Sequence, residues 1–326
     1  MSDLRVESVI QERPSRTKPC VFIHTNHKQI LGALVGAHSI RRQSRHNEKF
    51  DVCLIRHADH PFLAAKEGQL FLRDGVLRPW RNEDLQSFTP LRFMPPELMG
   101  YQGRAVVTDP DVFAVGDVWD LLSRDMQGKA IFCRPRDRRS HSVEGRMATS
   151  VMLLDCAKLP HWRVQAQFES MFRKELDYKD WITLRNEPRD SIGLFENGWN
   201  DLDRFSRTTR MLHTTKRWTQ PWKAGLPVDF TPADKFRQFP PVGWLLHARR
   251  QLFGDHALLG RYRNHPDKNQ EGYFFGLLRE CVETGLVARD FIAEQIARQH
   301  VRPDAVAVME RSPAPDAILA GLPATC

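Results

Sequence analysis

Between Lys18 and Leu176 the sequence alternates short apolar runs with segments whose apolar residues recur at helical spacing, and this alternation limits the possible folds more than any other feature. "CVFIHTN" is an apolar run that ends in polar residues, as a buried strand does. "HKQILGALVGAHSIRRQSR" follows, with Ile30, Leu34, Ala37 and Ile40 spaced for one helical face. "KFDVCLIRH" reads as a second strand. "LRFMPPELMGYQGRAVVTDPD" reads as a short helical piece, a glycine break and a third strand. A helical turn in "DVWDLLSRD", a strand in "GKAIFCRP" and an apolar run in "MATSVMLLDC" come next, and then an amphipathic helix in "WRVQAQFESMFRKEL". Parallel strands need a crossover, and an intervening helix supplies it, so the expected fold is an α/β domain around a mainly parallel sheet. Ligands of such sheets bind at the carboxyl ends of the strands. Thr25-Asn26 and Asp109-Pro110-Asp111 fall at such ends.

The composition changes near "FPPVGW". Beyond it, helices are expected over Val242–Phe253, Gln270–Thr284 and Arg289–Gln299, with Gly285 as a C-cap. The Pro/Ala-rich tail after Arg302 reads as partly extended. The division that results is a flexible leader over 1–17, a catalytic domain over 18–239 and a helical extension over 240–326. No run of eighteen apolar residues exists, and the first residues lack the apolar core of a signal peptide. The six cysteines are widely spaced with no CxxC pair, so a zinc ribbon or thioredoxin-type motif is not expected and a reduced, cytoplasmic setting is. The net charge of +8 favours anionic partners. With no C2H2 finger, RRM signature or KH loop, nucleic acid is not the expected one.

The aspartates then carry the chemistry. In an extended segment residues i and i+2 point the same way, so Asp109 and Asp111 can present two carboxylates to one point. Pro110 removes a backbone donor, which suits a strand end. Two carboxylates at a ligand edge suit Mg²⁺ or Mn²⁺. Asp-Pro-Asp is also ordinary turn chemistry, and a second DxD, Asp201-Leu202-Asp203, lies in a polar stretch.

With these residues in place, the chain resembles glycosyltransferase family 8, the retaining, nucleotide-sugar-dependent group of the GT-A fold. "TNHKQILGALVGAHSI" is similar to the family's first strand end and helix. "LRFMPPELMGYQGRAVVTDPDVFAVGDVWDLL" is similar to its arginine helix, strand, DxD and following Gly-Asp-x-x-x-Leu. "TSVMLLDC", "GWND" and "MLHTTKRWTQPW" resemble three later motifs, in the family's order. The resemblance covers Cys20 to Pro227. It implies a Rossmann-like GT-A domain that transfers a sugar from a nucleotide diphosphate, expected to be UDP, to a saccharide or lipid-linked saccharide acceptor. It implies Asp109, Asp111 and His213 as ligands of Mn²⁺ or Mg²⁺. Arg92 would contact the donor sugar or orient a carboxylate, and Asp180 would face the reacting sugar. Thr25, Asn26, Asp109 and Asn200 would meet the donor, with Lys216 or Lys223 neutralising its diphosphate. The expected course is front-face attack by the acceptor hydroxyl.

Departures from the family pattern stand beside the resemblance. Gln29 replaces a base-stacking aromatic, Asp180-Trp181 an Asp-Gln, Gln220-Pro221-Trp222 a Lys-Pro-Trp, and Thr149-Ser150 a Ser-Gly. The alternative is therefore a catalytically degenerate nucleotide-sugar or carbohydrate binder of the same fold. A metal hydrolase built on His57, Asp59 and His60 is a further rival, without a nucleophile at a recognised spacing. The loop Arg134–Arg146 could receive a phosphorylated or anionic saccharide. The helix around Arg249 and Arg250 in "WLLHARRQLF" could rest on an anionic membrane, while packing against the catalytic domain is the commoner use of an amphipathic helix.

Overall fold

The computed structural model describes residues 9–15, 17–230, 252–253 and 259–325. The "FPPVGW" boundary, nearly all of the helix expected over Val242–Phe253, and Arg249 and Arg250 lie outside the described residues.

Strand β1 (Cys20–Thr25) is buried along its whole length. It pairs in parallel with β2 (Asp51–Arg56) on one side and with β5 (Arg104–Thr108) on the other. Next come β8 (Met147–Asp155), antiparallel to β5, β7 (Ile131–Pro135), antiparallel to β8, and β9 (Ile192–Leu194), parallel to β7. The order β2-β1-β5-β8-β7-β9 makes a six-stranded mixed sheet whose first half is wholly parallel. Its strands are near-continuous apolar runs because both faces are covered. Helix α1 (Ile30–Gln43) makes the crossover from β1 to β2.

A second, three-stranded sheet sits beside the end of β5. It joins β6 (Val112–Ala114), β10 (Asp201–Leu202) and β11 (Met211–His213) in the order β10-β11-β6. A third feature was not read from the sequence. Strands β3 (Leu70–Arg73) and β4 (Val76–Pro79) form a hairpin whose two-residue turn is Asp74-Gly75. Both turn residues have positive φ, 54° and 71°. Asp-Gly between two short runs is the sequence signal for such a turn.

Helices α2 (Val164–Phe172), α3 (Tyr178–Ile182), α4 (Lys268–Glu283) and α5 (Arg289–Ala297) follow. Gly285, at φ 77°, closes α4 by donating to the Val282 carbonyl, as expected. Two regions differ from expectation. The tail after Arg302 forms α6 (Ala305–Arg311) and α7 (Pro315–Ala320). Proline is favourable at the first position of a helix and alanine is the best helix former, so Pro315 starts a helix there instead of preventing one. In the expected leader, Ile10 enters the core and Gln11 bridges Cys53, giving the outer strand β2 a partner.

The main hydrophobic core runs through both halves of the chain. Phe113 of β6 and Trp222 meet Phe274 of α4 at ring-centroid distances of 5.4 and 4.7 Å, and the Tyr273 hydroxyl donates to the Ala114 carbonyl at 2.6 Å. Among the described residues, no helix is long and apolar enough to cross a membrane.

Candidate active site

The site begins where β5 stops. The Asp109 amide donates to the Ser150 carbonyl of β8 and the Val112 amide to the Asp109 carbonyl, so the chain turns at Pro110 and continues as β6. Helix α1 supports this turn from beneath. A Cβ on Gly32 would lie 2.5 Å from the Pro110 carbonyl oxygen, and one on Gly36 would lie 3.1 Å from that of Val112. The two glycines therefore allow helix and turn to approach backbone to backbone.

The pairing of β6 with β11 sets His213 opposite Val112. One ligand atom from each of Asp109, Asp111 and His213 falls within a group no wider than 4.8 Å. His213 Nε2 is 3.3 Å from Asp111 Oδ1. Its Nδ1 is 3.0 Å from Asn200 Oδ1 and 3.1 Å from Ser150 Oγ. Asn200 Nδ2 donates to the Ala148 carbonyl and to Ser150 Oγ, which turns the amide oxygen toward the ring. In the tautomer whose Nδ1–H donates to that oxygen, Nε2 carries the lone pair that faces the carboxylates. This is how a second set of partners prepares an imidazole to ligate a metal. Burial pushes the His213 pKa down, but Asp111, and then Asp109 and Asp203, outweigh it and leave it raised.

Asp109 is held on two sides. Arg92 Nη2 lies 2.6 and 2.9 Å from its two oxygens, while Nη1 donates to Thr149 Oγ1 at 2.6 Å. His24 Nε2 lies 2.9 Å from Oδ1. Burial alone would raise the Asp109 pKa, but Arg92, with His24 and His213, holds it well below the usual carboxylate range. Burial also lowers the pKa of His24, which favours a neutral ring. Asp111 has another neighbour: Gln220 Nε2 donates to its Oδ2 at 3.2 Å, and Gln29 Nε2 donates in turn to Gln220 Oε1 at 3.1 Å.

The residues singled out from sequence thus divide. Asp109, Asp111, His213, Arg92 and Asn200 form one connected cluster. Thr25 and Asn26 close β1 beside it; Asn26 Nδ2 reaches the carbonyls of Asp84 and Leu85 and Ser87 Oγ, tying the strand end to that loop. Asp180 is on α3, which is linked to Arg92 through Thr149 Oγ1 and the Ile182 carbonyl, but its carboxylate pairs with Arg185 at 3.1 Å. Lys216 is exposed, and its amide donates to Asp203. Lys223 is fully buried, with Nζ 2.8 Å from Asp229 Oδ2 and 5.5 Å from the Tyr262 ring centre. Asp201 of the second DxD accepts from Arg138 at 2.6 Å and Thr209 at 2.9 Å, an anchoring role. Within the Arg134–Arg146 loop, Arg134 is buried against the Asn200 carbonyl and is part of the scaffold. Among the described residues, His57, Asp59 and His60 do not form a metal-type group.

His24 is not among the residues singled out from sequence, and Gln29 and Gln220 are named there only as departures from the family pattern, not as a pair. His24 sits in "CVFIHTN" one residue before a residue already singled out, which is a usable signal. Gln29 and Gln220 meet across 191 positions, and no local pattern announces that contact.

No protein-family model matches the chain, and no curated protein does. Solved structures do. The apo structure of the bifunctional glycosyltransferase WbbM is 10% identical, with a TM-score of 0.41, over 62% of this chain and 47% of that one. The galactosyltransferase LgtC, in complex with donor and acceptor sugar analogues, is 13% identical with a TM-score of 0.42, over 62% of this chain and 89% of that one. The glycosyltransferase GlyE of Streptococcus pneumoniae TIGR4, in its apo form, is 16% identical with a TM-score of 0.45, over 70% of this chain and 60% of that one. The chain spans about half the length of WbbM and under two thirds of GlyE. All three scores fall below one half, so function has to be read from the residues of the site itself.

Proposed function

We propose that this chain is a glycosyltransferase of the GT-A type, close to family 8. It would transfer a sugar with retention from a nucleotide diphosphate, UDP being the expected carrier, to a saccharide acceptor. The observation that carries the reading is the convergence of Asp109, Asp111 and His213 at one point, with Asn200 and Ser150 on His213 Nδ1 and its Nε2 3.3 Å from Asp111.

Two carboxylates and one imidazole fit Mn²⁺ by donor chemistry, and Mg²⁺ less closely. Asp111 and His213 fit best. Asp109 shares its oxygens with Arg92, so its part is divided between metal and guanidinium. When bound, the metal would neutralise the diphosphate and stabilise the charge that develops as the sugar departs. Arg92 holds Asp109 ionised and oriented. The acceptor hydroxyl oxygen bonds to the sugar's anomeric carbon as the bond from that carbon to the diphosphate oxygen breaks. The hydroxyl proton passes to the departing phosphate, so no protein nucleophile is required.

Calorimetry with UDP in Mn²⁺ and in chelator tests the reading. Binding is expected to be strong with metal and weak without it. Equal affinity in the two conditions would overturn the metal bridge. A second reading, nucleotide-sugar binding without turnover, is favoured by Lys223, whose charge is already committed to Asp229. UDP release from UDP-sugars, assayed across several sugars, separates the two: binding with no release in any of them supports the second.

A further inference from the structure

Asp109 and Asp111 carry the same type of charge but are held by different chemistry. Asp109 pairs with the Arg92 guanidinium. Asp111 is bound by a neutral side chain: Gln220 Nε2 donates to its Oδ2 at 3.2 Å, and Gln29 Nε2 donates to Gln220 Oε1 at 3.1 Å. All three residues are buried, the glutamines at 1% and 2% exposure. The direction of this chain follows from its end. An ionised carboxylate only accepts, so Gln220 must present its nitrogen to Asp111. The Gln220 oxygen then faces Gln29, which must present a nitrogen in turn. Gln29 Oε1 is left buried and, among the described residues, without a hydrogen-bond partner, a costly state for an amide oxygen. Turning the Gln29 amide over would bring two oxygens together, so the carboxylate sets the orientation of both amides.

Both glutamines stand on fixed backbone. Gln29 immediately precedes α1, and its carbonyl accepts from the Ala33 amide at 3.1 Å. Gln220 precedes Pro221, whose ring restricts the Gln220 backbone, at φ −58° and ψ 124°. The Gln220 carbonyl accepts from the Lys223 amide at 3.0 Å, and Trp222 anchors the segment against Phe274. Asp111 is pinned at its backbone as well: the Thr214 amide and hydroxyl both donate to its carbonyl, at 3.0 and 3.3 Å. The freedom left to Asp111 is rotation of its carboxylate, and the bond from Gln220 restrains that rotation. With Oδ2 so held, Oδ1 is the oxygen 3.3 Å from His213 Nε2.

A neutral donor orients a carboxylate without neutralising it. Arg92 offsets the charge of Asp109, whereas Gln220 leaves the charge of Asp111 available to a cation. We propose that Gln220, backed by Gln29, is a positioning residue that aims Asp111 at a divalent cation shared with His213. The proposal rests on the metal-binding reading above and adds to it the device that prepares one ligand. Partners that orient a ligand in this way are typically worth about 10–100-fold in metal affinity.

The test is Mn²⁺ binding by the full chain without nucleotide, followed by the paramagnetic resonance signal of free Mn²⁺. Gln220→Met keeps the length of the side chain and removes both of its hydrogen bonds. It should weaken Mn²⁺ binding by about tenfold or more. Gln29→Met does not touch the carboxylate and should weaken binding in the same direction by a smaller factor. The double variant should bind no more weakly than Gln220→Met alone, because Gln29 acts only through Gln220. Gln165→Met, at an exposed position of α2, should leave binding unchanged. Excess Mn²⁺ should restore UDP binding to Gln220→Met, since Asp111 itself is still present; a merely structural fault would not respond to metal in this way. Melting temperatures without metal report whether each variant folds, and Gln29→Met carries the test if Gln220→Met does not fold. Parent-like Mn²⁺ affinity in either folded glutamine variant, or losses that simply add in the double variant, would overturn the proposal. A parent chain that binds no Mn²⁺ would overturn the metal reading and this proposal with it, so the parent measurement tells the two failures apart.

Discussion

Asp111 and Asp201 belong to the same short motif type and do different things. Asp111 faces Gln220 and His213 at the edge of the cluster, whereas Asp201 is 1% exposed and holds Arg138 and Thr209. Replacing each by asparagine separates chemistry from scaffold. Asp111→Asn keeps the side-chain shape and the Gln220 contact can rearrange, so the melting temperature should hold. Metal-dependent turnover should fall on the order of 10²–10³, the typical loss for one electrostatic contact to a transition state. Asp201→Asn removes the charge from one buried bond, to Thr209, and one part-buried bond, to Arg138, and should cost on the order of 1 kcal/mol of stability or somewhat more, with metal-dependent UDP binding retained in the folded fraction. Parallel assays of turnover and melting check both. If Asp201→Asn abolishes activity while Asp111→Asn spares it, the wrong pair has been assigned.

At the level of elements, the position of the site depends on a helix lying flush against a turn. Gly32 is the point of closest approach, with no room for a methyl group against the Pro110 carbonyl. The obstacle is backbone, so it cannot swing aside as a side chain would. Gly32→Ala must push α1 and the Asp109–Asp111 turn apart. Overpacking of this kind typically costs about 1–3 kcal/mol, although alanine is intrinsically the better helix residue. The variant should therefore melt lower than the parent and bind UDP in Mn²⁺ more weakly. Gly75→Ala, in the exposed hairpin turn, has no such neighbour and serves as a comparison with backbone strain alone. A Gly32→Ala protein that melts higher and binds UDP unchanged would show that the close approach is not what seats the turn.

On the scale of the whole molecule, the C-terminal helices and the sheet share one core. Phe274 packs on Phe113 and Trp222, and the Arg302 amide donates to the Trp222 carbonyl at 2.7 Å. A chain ending at Phe230 should thus lose cooperative unfolding by calorimetry, because Phe113 and Trp222 would face water. Acid sensitivity is also a property of the whole fold. His24, His27, His57, His60 and His300 are all lowered by burial first, and His300 reaches about 4 with His27, Lys223 and Lys28 adding to the effect. The unfolded chain takes up those protons near pH 6.5 and the folded one does so only below it. Stability should then fall as pH drops from about 6.5 toward 4. His213, shifted the other way, gives a smaller opposite contribution, present at low pH and lost as pH rises through its raised value. Melting curves across this range should flatten in His300→Asn, whose ring contacts His27 at 5.2 Å.

Periodicity and punctuation, read locally, were enough for most strands of the large sheet, for α1, α2, α4 and α5, for the Gly285 cap, and for the placing of Asp109 and Asp111 at a strand end. These are short-range properties: alternation, helical spacing and strand termination are written within a dozen residues. The Asp-Gly hairpin is equally local, and so are the two final helices, where the proline and alanine content of the tail outweighed helix-start chemistry in the sequence reading. The rest could only be decided in three dimensions. His213 comes to Asp111 because β11 pairs with β6, Asn200 reaches its Nδ1 because β10 lies alongside, and Gln29 reaches Gln220 because α1 packs under the turn. The same applies to Lys223, a candidate phosphate partner on sequence that the fold commits to Asp229, and to Asp180, which turns to Arg185. A side chain's charge and size belong to the residue; its partner is chosen by whichever distant segment the packing brings within hydrogen-bonding reach.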